Sequence, residues 1–89
     1  GNIRNSVNFP ELIEPRLSDF RITISNKNHP GMIGKITTVL AENKLNIIDM
    51  VNKSRGDLAY NVIDLETKPS EKVLGELSSL EDVISVREV

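Results

Sequence analysis

The chain has 89 residues, enough for one small domain; 38% of them are apolar and only 3% aromatic, so aliphatic side chains must fill the core. A net charge of −2, with both signs interspersed, gives no electrostatic reason to expect binding to nucleic acid or to an anionic membrane surface. Cysteine is absent, which excludes disulfides and thiolate metal sites, and no apolar run approaches the roughly 20 residues that span a bilayer, so we expect a cytoplasmic protein.

Residues 1–18 show no helical or strand period, and Pro10 and Pro15 oppose a regular helix there. The chain begins with glycine on this polar stretch, which favours a piece cut from a longer protein. We therefore expect residues 1–18 to be an extended lead-in from upstream domains and residues 19–89 to form the folded domain.

The first clearly patterned segment is a strand that begins at Phe20. Phe20, Ile22 and Ile24 alternate with polar residues, which is the period-2 pattern of a half-buried strand. Phe20 is expected to face the core.

A helix is predicted after the loop at residues 26–31. Asn28 is the expected N-cap, and Pro30 suits the first turn because it has no N–H to leave unpaired. Asn43 and Lys44 are expected to close the helix. Its apolar stripe, at helical spacing, comprises Met32, Ile33, Ile36, Val39 and Leu40.

Three strands and a second helix complete the pattern. Strands at 45–54 and 58–67 are separated by a tight turn at 55–57 and should pair as a hairpin. Ser70, preceded by a proline, opens a helix with a leucine-rich stripe. The last strand is predicted at 83–89.

The order βαββαβ predicts an α+β fold, a ferredoxin-like sandwich with a four-stranded antiparallel sheet and both helices on one face. The first and third strands should be central. The second and fourth should be edges, and an exposed edge invites pairing with another copy. Ile84 and Val86 should share a face of the last strand, while Tyr60 and Val62 should lie on the uncovered face of the sheet.

No catalytic or metal site can be assembled from the sequence, so we expect no enzyme activity and no cofactor in this domain. His29, the only histidine, has no nucleophile or paired base around it. RNA-recognition domains share the βαββαβ order, but they stack bases on aromatics of the central strands, and Tyr60 is the only candidate here. The acidic residues are spaced as solvated charges would be: Glu42, Asp49, Asp57, Asp64 and Glu66.

The loop between the first strand and the first helix is the candidate binding site. Unpaired N–H groups at the start of a helix, expected near Gly31 and Met32, favour a carboxylate or phosphate. Asn26 and Asn28 add amide donors and acceptors, which suit an amino-acid headgroup. Gly31 lets a ligand approach the backbone without a Cβ in the way, whereas Gly34 is expected to permit close helix–sheet packing.

Three segments carry a resemblance to a known family. Asn28-x-Pro30-Gly31, the triplet Leu45-Asn46-Ile47 and the strand Ala59-Tyr60-Asn61-Val62-Ile63-Asp64 resemble the ACT domain, a small-molecule regulatory module on enzymes of amino-acid metabolism. The resemblance covers residues 20–89. The stretch Asn5-Ser6-Val7-Asn8-Phe9-Pro10 is similar to the segment that precedes the ACT domain in the D-3-phosphoglycerate dehydrogenase family.

The resemblance implies the C-terminal regulatory domain of an NAD-dependent dehydrogenase of serine biosynthesis, paired side by side as a homodimer with L-serine bound at the interface as feedback inhibitor. Asn28 matches the loop asparagine of that family, and Asn46 matches the asparagine donated across the interface. On the residues alone, Asn46 is equally well explained as a local cap after the helix. Asn26 stands where serine-sensitive members have histidine, which leaves the effector's identity open. The alternatives are an ACT dimer without an effector and an ACT domain of another enzyme or regulator.

Overall fold

The computed structural model describes residues 15–89, so most of the predicted lead-in, including Asn5–Pro10, lies outside the described residues, and the boundary at residue 18 stays a prediction. The sheet has the strand order β2-β3-β1-β4, and neighbouring strands are antiparallel. The predicted ferredoxin-like α+β fold is confirmed, with β1 and β3 central. Its elements are β1 (Phe20–Lys27), α1 (Met32–Glu42), β2 (Ile47–Arg55), β3 (Leu58–Leu65), α2 (Glu71–Ser79) and β4 (Val83–Glu88). Within residues 15–89, no helix is long and apolar enough to cross a membrane.

The hydrophobic core lies between one face of the sheet and the two helices. Phe20 packs against this core, as its strand pattern predicts. Its buried members come from the two central strands and both helices: Ile22, Ile24, Ile36, Leu40, Ile63, Leu65, Val73 and Leu77. Directly paired residues of antiparallel strands point to the same face. Tyr60 and Val62 are paired with Ser25 and Thr23, and these pairs lie on the face away from the helices, as predicted, but Val62 and Thr23 are buried, so this face is not uncovered there.

Helix α1 begins later than predicted. Gly31 is its N-cap and no side chain caps it, so the prediction of Asn28 as N-cap is wrong. The reason is a turn that precedes the helix. Gly31 has φ 87° and ψ −5°, the values of the third residue of a type II turn, and Pro30 occupies the second position. The Met32 N–H closes this turn on the His29 carbonyl at 3.3 Å.

The buried side of α1 is narrower than the predicted stripe. Met32, Ile36 and Leu40 are buried, spaced four residues apart, whereas Ile33 is 46% exposed. The far end agrees with prediction, because Asn43 is the C-cap and Lys44 adopts φ 61°.

Strand β4 carries a bulge that changes which side chains face the core. Ile24 pairs with Val86, but Asn26 pairs with Val83, so the register shifts by one residue between them. Val83 and Val86 pack against the core, and Ile84 is 50% exposed. The prediction that Ile84 and Val86 share a face is therefore wrong.

A buried ion pair on the face away from the helices contradicts the prediction that Asp64 is a solvated charge. Arg21 and Asp64 are paired directly across β1 and β3, and Asp64 is only 1% exposed. Arg21 Nε donates to Asp64 Oδ1 at 2.7 Å, and the Leu17 N–H donates to Oδ2 at 2.9 Å. The Arg21 guanidinium, reinforced by the Leu17 bond, holds the pKa of this carboxyl below its ordinary value despite burial. Arg21 also donates to the Pro15 carbonyl at 2.8 Å, so the pair ties the start of the domain to the sheet.

Candidate functional site

A cavity of about 360 Å³ lies where β1 ends and α1 begins. Four of the five predicted site residues line it: Asn26, Asn28, Gly31 and Met32. Its volume is at the lower end of the range for small-molecule sites, which suits a ligand of amino-acid size. The sheet contributes Asn52 and Ala59 to the same cavity.

The start of α1 supplies backbone donors to this cavity. The first intrahelical bond runs from the Lys35 N–H to the Gly31 carbonyl at 3.0 Å. The N–H groups of Ile33 and Gly34 precede that bond and have no partner among the described residues. The Met32 N–H is already used by the type II turn. The unpartnered N–H groups of the first turn therefore include those of Ile33 and Gly34, whereas that of Met32 is bonded.

Both glycines of the loop leave open space where a side chain would be. A Cβ built on Gly34 meets no atom within 4 Å, so the predicted role of Gly34 in close helix–sheet packing is wrong. Gly34 instead is exposed and lines the cavity. Gly31 is also open, and its φ of 87° favours glycine.

Asn26 belongs to a row of three hydrogen-bonded asparagines, two of them buried, that was not predicted from the sequence. Its side chain is 1% exposed, and its Oδ1 accepts a hydrogen bond from Asn61 Nδ2 at 2.8 Å. Asn61 Oδ1 in turn accepts from Asn52 Nδ2 at 2.7 Å. The available signal was the alternation along β3, which places Asn61 on the same face as Ala59 and Ile63.

Three further hydrogen bonds fix the loop against two neighbouring turns. Asn28 is exposed; its N–H donates to the Asp57 carbonyl at 2.7 Å, and its Nδ2 donates to the Gly56 carbonyl at 3.3 Å. These bonds tie the loop to the turn between β2 and β3 and leave Asn28 Oδ1 available as an acceptor. His29 Nδ1 lies 2.8 Å from Asp82 Oδ2, which ties the loop to the turn before β4.

Asn46 lies away from the other predicted site residues of its own chain. It is exposed, between α1 and β2, and its carbonyl accepts a hydrogen bond from the Glu66 N–H at 2.9 Å. It is not among the residues that line the cavity. Its predicted contribution across an interface stays a prediction.

The cavity is lined both by residues with backbone N–H donors and by residues with amide oxygens. The N–H groups of α1 carry the partial positive charge of a helix N-terminus and favour a carboxylate. The oxygens of Asn28 and Asn52 favour an ammonium, hydroxyl or amide N–H. No group of three His, Asp or Glu residues that could hold a metal ion occurs within residues 15–89.

The chain matches a known family model and is similar in sequence to several known proteins. Residues 20–82 match the model of the ACT domain. The D-3-phosphoglycerate dehydrogenases of Haemophilus influenzae and Dictyostelium discoideum are 30% and 32% identical to this chain over 88 residues. Each match covers 98% of this chain but 22% and 21% of the relative, so the chain spans about a fifth of the length of these proteins.

Solved structures of similar shape support the fold. The crystal structure of the ACT domain from GTP pyrophosphokinase of Chlorobium tepidum has a TM-score of 0.68 at 19% identity, covering 79% of this chain and 95% of that one. The regulatory subunit of aspartate kinase from Thermus thermophilus has a TM-score of 0.59 at 16% identity, covering 76% and 49% respectively.

Proposed function

The chain belongs to the ACT domain family, whose members are regulatory and non-catalytic, and on that premise we propose that it binds an amino-acid effector, L-serine, in the cavity between β1 and α1. The observation that carries the proposal is the pairing of two unpartnered N–H groups at the start of α1 with amide side chains in one cavity. A zwitterion needs both kinds of group, whereas a simple anion needs only the first.

The geometry of α1 suggests how the effector lies. Its carboxylate accepts hydrogen bonds from the N–H groups of Ile33 and Gly34, where the helix dipole favours negative charge. Its ammonium group donates to Asn28 Oδ1. Asn26 lies deeper, and its Oδ1 is already bonded to Asn61, so Asn26 shapes the floor of the cavity.

A second copy of the chain completes the site in this proposal. β2 is an edge strand of the sheet, and Ile48 on it is 45% exposed, which suits side-by-side pairing of two sheets. Asn46 stands just before this edge with its side chain free of any hydrogen bond within residues 15–89. In a symmetric pair, Asn46 of each copy would contact the effector held by the loop of the other.

We propose that the parent protein is a cytoplasmic D-3-phosphoglycerate dehydrogenase that binds NAD and its substrate in upstream domains. Support comes from relatives of that name, which match nearly all of this chain over a fifth of their own length. Binding of L-serine would hold two subunits together and favour one of two conformations of the distant active site, because the effector binds one state more tightly.

Thermal unfolding with a panel of amino acids tests the proposed function. A ligand that binds only the folded state adds about 2.7 kcal/mol of stability at a concentration of 100 Kd. For a domain of this size, we expect L-serine to raise Tm by about 10 °C. Melting curves that are identical with and without every amino acid would instead identify a structural ACT dimer that binds no effector.

Replacement of Gly34 by alanine should weaken L-serine binding without lowering the stability of the fold. The new Cβ meets no protein atom within 4 Å, and alanine favours the helix by about 1 kcal/mol, so stability should stay the same or rise. Because a helical Cβ tilts toward the helix N-terminus, the methyl group should crowd the effector's carboxylate and weaken L-serine binding by about tenfold. Calorimetric titration measures this change.

Gly75→Ala is the matched control, since Gly75 is an exposed glycine of α2 with equally open surroundings. It should gain similar stability without any change in affinity. Equal affinities for the two variants would contradict the placement of the carboxylate at the start of α1.

A further inference from the structure

Three asparagines form a continuous row across the core-facing side of the sheet. Asn52 and Asn61 are directly paired across β2 and β3, and Asn26 lies beside Asn61 on β1. Asn52 Nδ2 donates to Asn61 Oδ1 at 2.7 Å, and Asn61 Nδ2 donates to Asn26 Oδ1 at 2.8 Å. Asn26 Nδ2 then donates to the Lys27 carbonyl at 2.7 Å. We name this row the amide relay.

The contact of Asn26 with the Lys27 carbonyl determines how the three amide groups of the relay are oriented. The Lys27 carbonyl can only accept, so Asn26 must present its NH₂ group there and its oxygen to Asn61. Asn61 must then present its NH₂ group to Asn26 and its oxygen to Asn52. The NH₂ group of Asn52 is therefore used by Asn61, and its Oδ1 has no hydrogen bond within residues 15–89. Asn52 also lines the proposed effector cavity. The relay therefore offers the cavity an oriented acceptor.

Two of the three asparagines of the amide relay are buried in the interior of the domain. Asn61 is 0% and Asn26 1% exposed; Asn61 is paired directly with the core residue Ile24, and Asn26 with Ala59. A buried amide without partners is strongly unfavourable, so these side chains persist only while the whole row is bonded. The two inner asparagines thus hold the outer one, which is exposed and could otherwise adopt other rotamers.

We propose that Asn52 is a specificity-determining residue and Asn61 its positioning residue, and that the effector is an α-amino acid whose side chain carries an O–H or N–H donor. This rests on the proposed function, in which α1 takes the carboxylate while Asn28 and Asn46 of a second copy take the ammonium group. The acceptor on Asn52 is then left to meet the effector's side chain. L-Serine fits this class, whereas L-alanine has the same carbon skeleton without the donor.

Calorimetric titration with L-serine and L-alanine tests the proposal. One neutral hydrogen bond is worth about tenfold in affinity, so the wild-type chain should bind L-serine about tenfold more tightly than L-alanine. Asn52→Leu should reduce that ratio to about one by weakening L-serine binding, with L-alanine affinity nearly unchanged. Lys53→Leu, an exposed residue on the opposite face of the same strand, should leave the ratio as it is.

Asn61→Leu tests positioning. It removes the hydrogen-bond partner of Asn52 and of Asn26, although Asn61 itself does not line the cavity, so it should lower the L-serine to L-alanine ratio by about threefold while L-alanine still binds. An independent readout needs no ligand. The side-chain NH₂ protons of Asn61 and Asn26 should exchange slowly in ¹⁵N-labelled wild-type protein, and those of Asn26 should exchange faster in the Asn61→Leu variant.

The outcomes separate the two proposals. If the wild-type chain binds L-serine but Asn52→Leu keeps the tenfold ratio, or if L-alanine binds as well as L-serine from the start, the role of Asn52 is overturned and the effector site stands. If the wild-type chain binds no amino acid, the proposed function fails and the selectivity proposal falls with it. Fast exchange of the Asn61 amide protons would overturn the relay in either case.

Discussion

Replacement of Arg21 by alanine is expected to lower the free energy of unfolding by about 3 kcal/mol. Removing one partner of a buried ion pair leaves the other charge without compensation, and such changes cost about 3–5 kcal/mol. Asp64 is 1% exposed and would keep only its bond from the Leu17 N–H. In a domain of this size, the loss corresponds to a drop in Tm of about 12 °C or more, measurable by calorimetry or urea unfolding.

The effect of Arg21→Ala should depend on pH in a defined direction. The pKa of Asp64 is lowered in the folded state from its ordinary value of 3.8, so the unfolded chain takes up the proton first as pH falls. The stabilisation is therefore fully present above about pH 4–5 and is lost as pH falls through the folded pKa. The difference between the wild type and Arg21→Ala should shrink below about pH 4.

Arg87→Ala serves as the control for Arg21→Ala, because Arg87 is an exposed arginine on the neighbouring edge strand. It should change the free energy of unfolding by about 0.5 kcal/mol or less. Equal effects of the two substitutions would show that the ion pair does not stabilise the sheet.

The second large effect is expected at Asn46. Asn46→Ala should weaken L-serine binding by about 10- to 100-fold, because a hydrogen bond to a charged group is worth about 1.5–3 kcal/mol. Stability without ligand should hardly change, since the Asn46 side chain makes no hydrogen bond within residues 15–89. Titration calorimetry with L-serine measures the affinity, and thermal unfolding without ligand measures the stability.

Glu42→Ala is a suitable control, because Glu42 is an exposed residue in the last turn of α1 and makes no contact with the cavity. It should bind L-serine like the wild type. If Asn46→Ala also binds like the wild type, the effector is held by one chain alone.

The period of apolar residues was enough to predict the elements, the strand order and most of the core. Phe20, Ile22 and Ile24 were predicted to form the core-facing side of a strand, and they do; the strand is more buried than predicted, since Thr23 on its other face is 7% exposed. The period does not show which residues of two neighbouring strands are paired. The direct pairing of Arg21 with Asp64, and the bulge that turns Ile84 outward, depend on how two distant segments align.

The part of the cavity that comes from one loop could be predicted from the sequence, whereas its role in binding stays a prediction. The loop asparagines and Gly31 are close in sequence, so local turn chemistry pointed to them, although the type II turn displaced the helix start from the expected Asn28 cap. Asn52 and Asn61 reach the same cavity from two other strands. Only the pairing of β2, β3 and β1 brings them to Asn26, and that pairing is a long-range property.

Mixing two defective chains tests most directly whether two copies build one site. Asn28→Ala removes the loop amide and Asn46→Ala removes the residue expected from a second copy, so each variant alone should bind L-serine about 10- to 100-fold more weakly than the wild type. Refolded together in equal amounts, random pairing should make about half of the dimers mixed, each with one intact site, and restore about a quarter of the wild-type sites. Titration calorimetry that finds about this number of sites with wild-type affinity is the predicted result. A mixture that binds L-serine no better than either variant alone would contradict a site shared between copies.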